Sequence, residues 1–261
     1  MLGYIYDTLG RPDIGLLWFE KAARRENRPV YADNIGDAWA DLGDYVKAEK
    51  AFKTAAVFRP DLPVGPLGLS ALALFREDYE TARKLCQEAR AKYAGNPQPL
   101  MMAAVIEFFS RRFDVAERLY REACVSNREG GVDFLGSVRF LSALGFVQKL
   151  SSARAKEGKI LLEEARALDE KELLLAPDNL RQLYSLAADN AALGNREEAT
   201  TMLNKAIEAG WIDYRSMELD PRFDSIRETQ AFKDTLTRLI NNVEEMRRHL
   251  LGRKLTSTLN N

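Results

Sequence analysis

Ala22, Ala55, Ala89 and Ala123 follow one another at nearly constant intervals. Two turns before each stands another small residue: Gly15, Ala48, Ala82 and Ala116. One turn before each stands a larger packing residue: Phe19, Phe52, Cys86 and Tyr120. Such a triplet lies on one face of one helix. A period of about 34 in helical sequence predicts a stack of helix pairs, each burying its apolar face against the next. An array of that kind presents a long surface, so its function is sought on that surface.

The rest of the composition narrows the classes. The chain has 261 residues, 46% hydrophobic and 30% charged, which is ample for a packed core. Its 38 basic and 39 acidic residues leave a net charge of −1, so no overall field draws it to nucleic acid or to an anionic membrane. No apolar run approaches a membrane span, and the start lacks the basic-then-apolar pattern of a signal peptide. A cytoplasmic location is expected, with a periplasmic one open if the chain belongs to a membrane-anchored protein. Cys86 and Cys124 sit within the helical repeats and read as small core residues, not as a disulfide or reactive thiols.

The second repeat is the clearest. It runs from Tyr31 through Gly36, Trp39, Gly43, Tyr45, Ala48, Phe52 and Ala55 to Pro60. Two amphipathic helices are expected, separated by a turn at Gly43, where glycine accepts the left-handed backbone at a helix end. Gly36 and Ala48 let the two helices approach, and Trp39, Tyr45 and Phe52 fill the space around the contact. Pro60 stops the second helix.

This stretch resembles the tetratricopeptide repeat (TPR) family. The first repeat matches through Leu2, Gly3, Tyr6, Gly10, Gly15, Phe19 and Ala22. The third matches through Tyr79, Ala82 and Ala89, with Glu77 in place of the turn glycine. The fourth matches through Phe113, Ala116, Tyr120 and Ala123, with Arg111 in that place. The fifth restores the triplet at Gly158, Leu162 and Ala165, but the step from Ala123 to Ala165 is longer than the earlier ones. Residues 155–176 contain no breaker stronger than Gly158, which predicts a second helix about two turns longer than the others, ended by Pro177. The sixth repeat shows Leu186, Ala187, Leu193, Gly194, Ala199, Leu203 and Ala206.

The expected fold is therefore all-α: a solenoid of about six TPR-like helix pairs with a C-terminal cap. The units fall near residues 1–28, 29–62, 63–96, 97–130, 131–179 and 180–210, with capping helices over 211–251 and a frayed tail over 252–261. Residues 210–232 carry Trp211, Tyr214, Leu219, Phe223, Ile226 and Phe232 at irregular spacing, which suits a cap for the last open face. That segment is similar to the closing stretch of TPR arrays in bacterial regulators: winged-helix activators, adenylate cyclases and serine/threonine kinases. Gly3 corresponds to the mid-helix Gly36, so Met1 enters a helix already under way. This suggests a piece of a longer protein; the alternative is a natural start with a frayed first helix.

No constellation for chemistry emerges. His249 is the single histidine and lies in a charged run; phosphate- and dinucleotide-binding glycine fingerprints are missing from the sequence. The loop glycines Gly130 and Gly131 read as an inter-repeat connection. Carboxylates stand beside Lys and Arg on helix exteriors, as in a solvated face. No catalytic residue, metal site or cofactor is expected. An RNA-reading helical array would need a basic groove or repeated base-reading residues, and neither is present.

In the TPR family the first helix of each pair lines the concave face. Helical spacing applied to each first helix yields Asp33, Asp37 and Asp41, with Ala40, in the second repeat. It yields Leu67, Ala71, Leu74 and Phe75 in the third, and Met101, Val105, Phe108 and Phe109 in the fourth. In the sixth it yields Tyr184, Ala188, Ala191 and Ala192. The groove is expected to be acidic toward its N-terminal end and apolar in the middle. Apolar residues left on such a face suggest a docking surface for a protein or peptide partner. The alternative is that they bury against neighbouring helices, leaving a structural or dimerising segment with no separate ligand. Some TPR arrays clasp a chaperone's terminal carboxylate with basic groove residues. Asp33 and Asp37 argue against that ligand and for basic residues in the partner. The oligomeric state is left open.

Overall fold

The computed structural model describes residues 1–26, 29–126, 135 and 139–259, with no side-chain description beyond 252. Among these residues the regular structure is helical. α1 (Leu2–Thr8) pairs with α2 (Pro12–Glu26), α3 (Ala32–Asp41) with α4 (Tyr45–Phe58), and α5 (Val64–Phe75) with α6 (Tyr79–Lys92). α7 (Gln98–Phe109) pairs with α8 (Phe113–Ser126), α9 (Phe140–Leu150) with α10 (Ala155–Leu175), and α11 (Leu180–Leu193) with α12 (Arg196–Glu208). α13 (Tyr214–Leu219), a 3₁₀ turn (Pro221–Phe223) and α14 (Gln230–Leu259) follow. Each helix of the array packs on the next, as in an α-solenoid. Gly130 and Gly131 lie outside the described residues.

The small-residue register sets the helix crossings. A Cβ on Gly3 would come within 2.6 Å of the Phe19 ring, and one on Gly36 within the same 2.6 Å of the Phe52 ring. The first two repeats therefore share one packing. In the third, Ser70 takes the glycine's place and its hydroxyl donates to the Ala82 carbonyl at 2.8 Å. Ala48, Ala55, Ala82, Ala89, Ala116, Ala123 and Ala206 are all buried at these contacts. Ala22, in the same register, is only half-buried. The next repeat packs more closely on α4. Gly65 lies so close to α4 that a Cβ would stand 2.5 Å from the Ala56 amide nitrogen.

The turns repeat as well. Gly10, Gly43, Glu77 and Arg111 all have left-handed backbone, with φ of 67°, 72°, 60° and 59°. One turn conformation thus recurs whether or not glycine fills it. Asp44 and Asp78 cap the helices that follow, accepting from the amides of Lys47 and Thr81 at 3.1 Å each.

The fifth unit has the predicted long helix: α10 has 21 residues against 14 in α4, α6 and α8. Gly158 lies inside it and crosses α9 at Gly145, where a Cβ on Gly145 would sit 2.9 Å from the Gly158 carbonyl. Cys86 is buried and its thiol is pushed up to about 12 by that burial; Cys124 is half-buried, more open than a core residue. The tail differs from expectation: α14 continues through Gly252 to Leu259, since nothing after that glycine breaks a helix. His249 is exposed on α14.

Candidate functional site

The first helices face inward, and their middle columns split into two fates. Leu67, Leu74, Val105, Phe108, Phe109 and Tyr184 are expected from the sequence to line an open groove, yet each is fully buried at 0% exposure. Phe108 is surrounded by rings, with centroids at 5.7 Å to Tyr120, 5.8 Å to Phe146 and 6.2 Å to Phe113. Phe109 shares its core with Leu219 of α13 and Ala192 of α11. Tyr184 is covered by Trp211, stacked at 4.0 Å, and by the edge of Phe223 at 5.6 Å. The apolar middle of the groove is thus filled by the chain itself. α5 and α7 are apolar nearly all round, and a helix of that composition is sandwiched between neighbours.

The acidic end stays open. A cavity of about 540 Å³ is lined by Asp7 of α1, Asp33, Asp37, Ala40 and Asp41 of α3, and Ala71 and Phe75 of α5. Met101 of α7, Arg181 of α11, and Trp211 and Asp213 before α13 complete the named wall. Of the groove residues read from sequence, the structure brings together Asp33, Asp37, Asp41, Ala71, Phe75 and Met101. Asp7, Arg181 and Asp213 escape that reading. Asp7 holds in the first repeat the place that Ala40 holds in the second, so extending the register backward finds it. Arg181 and Asp213 carry no periodic signal, because they reach the cavity only through closure of the array.

The electrostatics are one-sided. Five carboxylates line the cavity, and Arg181 is the basic side chain among the described residues that faces them. Enclosure raises the Asp37 carboxyl to about 7, with the charges of Asp7 and Asp33 adding to the effect. Asp37 is nonetheless exposed within the cavity, so water screens part of this. Asp41 is pushed well up by burial, then by Asp7, Asp213 and Asp37, with Arg181 opposing. Asp7 and Asp213 also rise, burial first. These carboxylates are spread around a wall: no group of three or more His, Cys, Asp or Glu among the described residues is placed to hold a metal ion. The arrangement suits an extended organic cation better than a point charge.

The C-terminal segment does what a cap requires. Trp211, Phe223, Ile226 and Phe232 join Leu183, Tyr184, Leu203 and Ala206 in one core. Below them lies a buried ionic network. The Arg222 guanidinium bonds Asp220 at 2.7 Å and donates to the Ser142 hydroxyl at 2.7 Å, with Asp189 at 3.5 Å. All four side chains are at 0% exposure, so each charge depends on the others.

The glycine–phenylalanine crossings and the left-handed turn in each of the first four repeats decide the kind of array. It is an α-solenoid whose repeat resembles the tetratricopeptide pattern. No family model matches the chain, and no curated protein matches it. Among solved structures, one described as "YrrB: a TPR protein with an unusual peptide-binding site" aligns with 77% of this chain and 96% of that chain. The identity is 17% and the TM-score 0.38, too low to transfer a site or a ligand to this array. No helix among the described residues of this array is long and apolar enough to cross a membrane.

Proposed function

We propose that this chain is a non-catalytic protein-interaction module whose concave cavity takes a basic segment of a partner protein. One observation carries the reading: five carboxylates converge on a single cavity opposite one guanidinium. Its volume lies within the range of about 300–1,000 Å³ typical of ligand sites, enough for a short stretch of chain. A lysine or arginine side chain entering it would pair with Asp37 and Asp41. Charge at the cavity would also speed the encounter and make it salt-dependent.

The test is fluorescence anisotropy with labelled short peptides of graded lysine and arginine content. Basic peptides should bind, more weakly as salt is raised, and an Asp37→Asn, Asp41→Asn double variant should lose most of that binding. Equal binding of acidic and basic peptides, or an unaffected double variant, overturns the proposal.

We further place the module within a larger bacterial regulator, on the resemblance of residues 210–232 to the closing segments of such arrays. A winged-helix, cyclase or kinase domain in the same reading frame supports this, and an unrelated frame removes it. The filled apolar columns favour a second reading, a structural or dimerising segment. A dimer in light scattering together with no peptide binding would select it.

A further inference from the structure

Residues 210–225 meet the turns of the first four repeats and the last turn of α11 in the sixth, in chain order. At the first repeat, Gly210 abuts the Leu9–Gly10 backbone: a Cβ on Gly210 would stand 2.7 Å from the Leu9 carbonyl, and Gly10 has no room for one against Gly210. At the second, a Cβ on Gly43 would lie 3.1 Å from the Tyr214 hydroxyl. At the third, Arg215 Nε donates to the Phe75 carbonyl at 3.0 Å and the guanidinium stands 3.4 Å from Glu77. At the fourth, Arg111 donates to the Leu219 carbonyl at 3.0 Å and pairs with Asp224 at 2.9 Å. At the sixth, the Ser225 hydroxyl donates to the Ala191 carbonyl at 2.9 Å.

Glu77 and Arg111 are the two turns where a side chain replaces glycine in left-handed backbone. That backbone is less favourable for an ordinary residue than for glycine. Both side chains engage the C-terminal segment. We infer that residues 210–225 form a strap closing the cavity along the turn edge, and that Glu77 and Arg111 are there to hold it. Gly210, Trp211, Ile212 and Asp213 of this strap form part of the cavity wall. The far end of the strap is locked by the buried Arg222 network. Over the third and fourth turns the holding groups are half-exposed ion pairs and carbonyl bonds, with Leu250 of α14 buried against the first two repeats behind them. These contacts add to the burial of Met217 and Leu219 in the same stretch. The inference stands whether or not the cavity binds a basic segment.

The test is a Glu77→Gly, Arg111→Gly double variant, which relaxes both turns and removes both clamps. Hydrogen exchange should accelerate across residues 210–219, about tenfold or more, and remain unchanged in α11 and α12. Carbodiimide labelling of Asp37 and Asp41, read by mass spectrometry, should rise while the exposed Asp61 stays constant. If the glycines instead slow exchange throughout and labelling is unchanged, the turn side chains are not clamps and the strap is only a cap. Should that variant fail to fold, Arg215→Gln removes the third-turn contact together with the Arg215–Glu218 pair within the strap, while Glu218→Gln removes that pair alone; Arg215→Gln must raise both readouts above Glu218→Gln, and no difference between them overturns the inference.

Discussion

α3 and α7 stand two repeats apart and hold the same place in their helix pairs. Asp33, Asp37 and Asp41 on α3 correspond in register to Met101, Val105 and Phe109 on α7. The α3 column opens into the cavity, whereas Val105 and Phe109 are fully buried and Met101 only borders it. Between them, α5 is intermediate: Leu67 and Leu74 are buried while Ala71 and Phe75 reach the cavity wall. The lesson is that apolar content in a concave column marks where this solenoid fills its own groove. Charge marks where it leaves the groove open.

The most severe challenge to that contrast is to truncate the buried side. Phe108→Ala should cost about 3–5 kcal/mol in urea unfolding, because it empties the centre of an aromatic cluster. A loss below about 1 kcal/mol would mean that the α7 column is open after all. The crossings, by contrast, are shared by both repeats. Ala48→Leu in α4 and Ala116→Leu in α8 should each cost about 1–3 kcal/mol by overpacking. A large disparity between them would show that the two repeats differ in more than their groove columns.

The smallest effect lies on the open side and is read by pH. Asp37 titrates at about 7 in the folded chain, against an ordinary aspartate near 3.9 when unfolded. A carboxyl raised on folding stabilises the fold below the unfolded value, and that contribution is lost as pH rises through the folded one. Melting temperature should therefore fall between about pH 4 and pH 7, and Asp37→Asn should flatten the fall. Asp7, Asp33, Asp41 and Asp213 face the same cavity, with Arg181 opposing, so one substitution removes part of the slope. A profile unchanged by Asp37→Asn would mean that this carboxyl is not raised. The matching α7 positions, Met101, Val105 and Phe109, have nothing to titrate.

Much of the array is legible in the sequence because the signals are local. The triplets locate the helix contacts, Gly158 falls within α10, and that helix has its extra turns because nothing interrupts residues 155–176. Glu77 and Arg111 stand in the sequence in place of the turn glycine. Their backbone keeps the turn, and their side chains have another occupation in the strap. Trp211, Phe223 and Phe232 cover the sixth repeat as their spacing suggests. That the same segment also runs back along the turns to Gly10 is not readable from the chain. The contact joins the first repeat to the end of the sixth, and nothing in either stretch announces the other.

The helix pairs, their crossings and the recurrent turn follow from the chain alone, because each depends on residues within a single repeat. Which inward columns meet water is settled only by the packed array. That depends on the distance between walls contributed by α3, α11 and the strap, and so on small rotations between repeats that accumulate along the whole array. The acidic residues are visible in the chain; their enclosure in one cavity is a property of the closed superhelix.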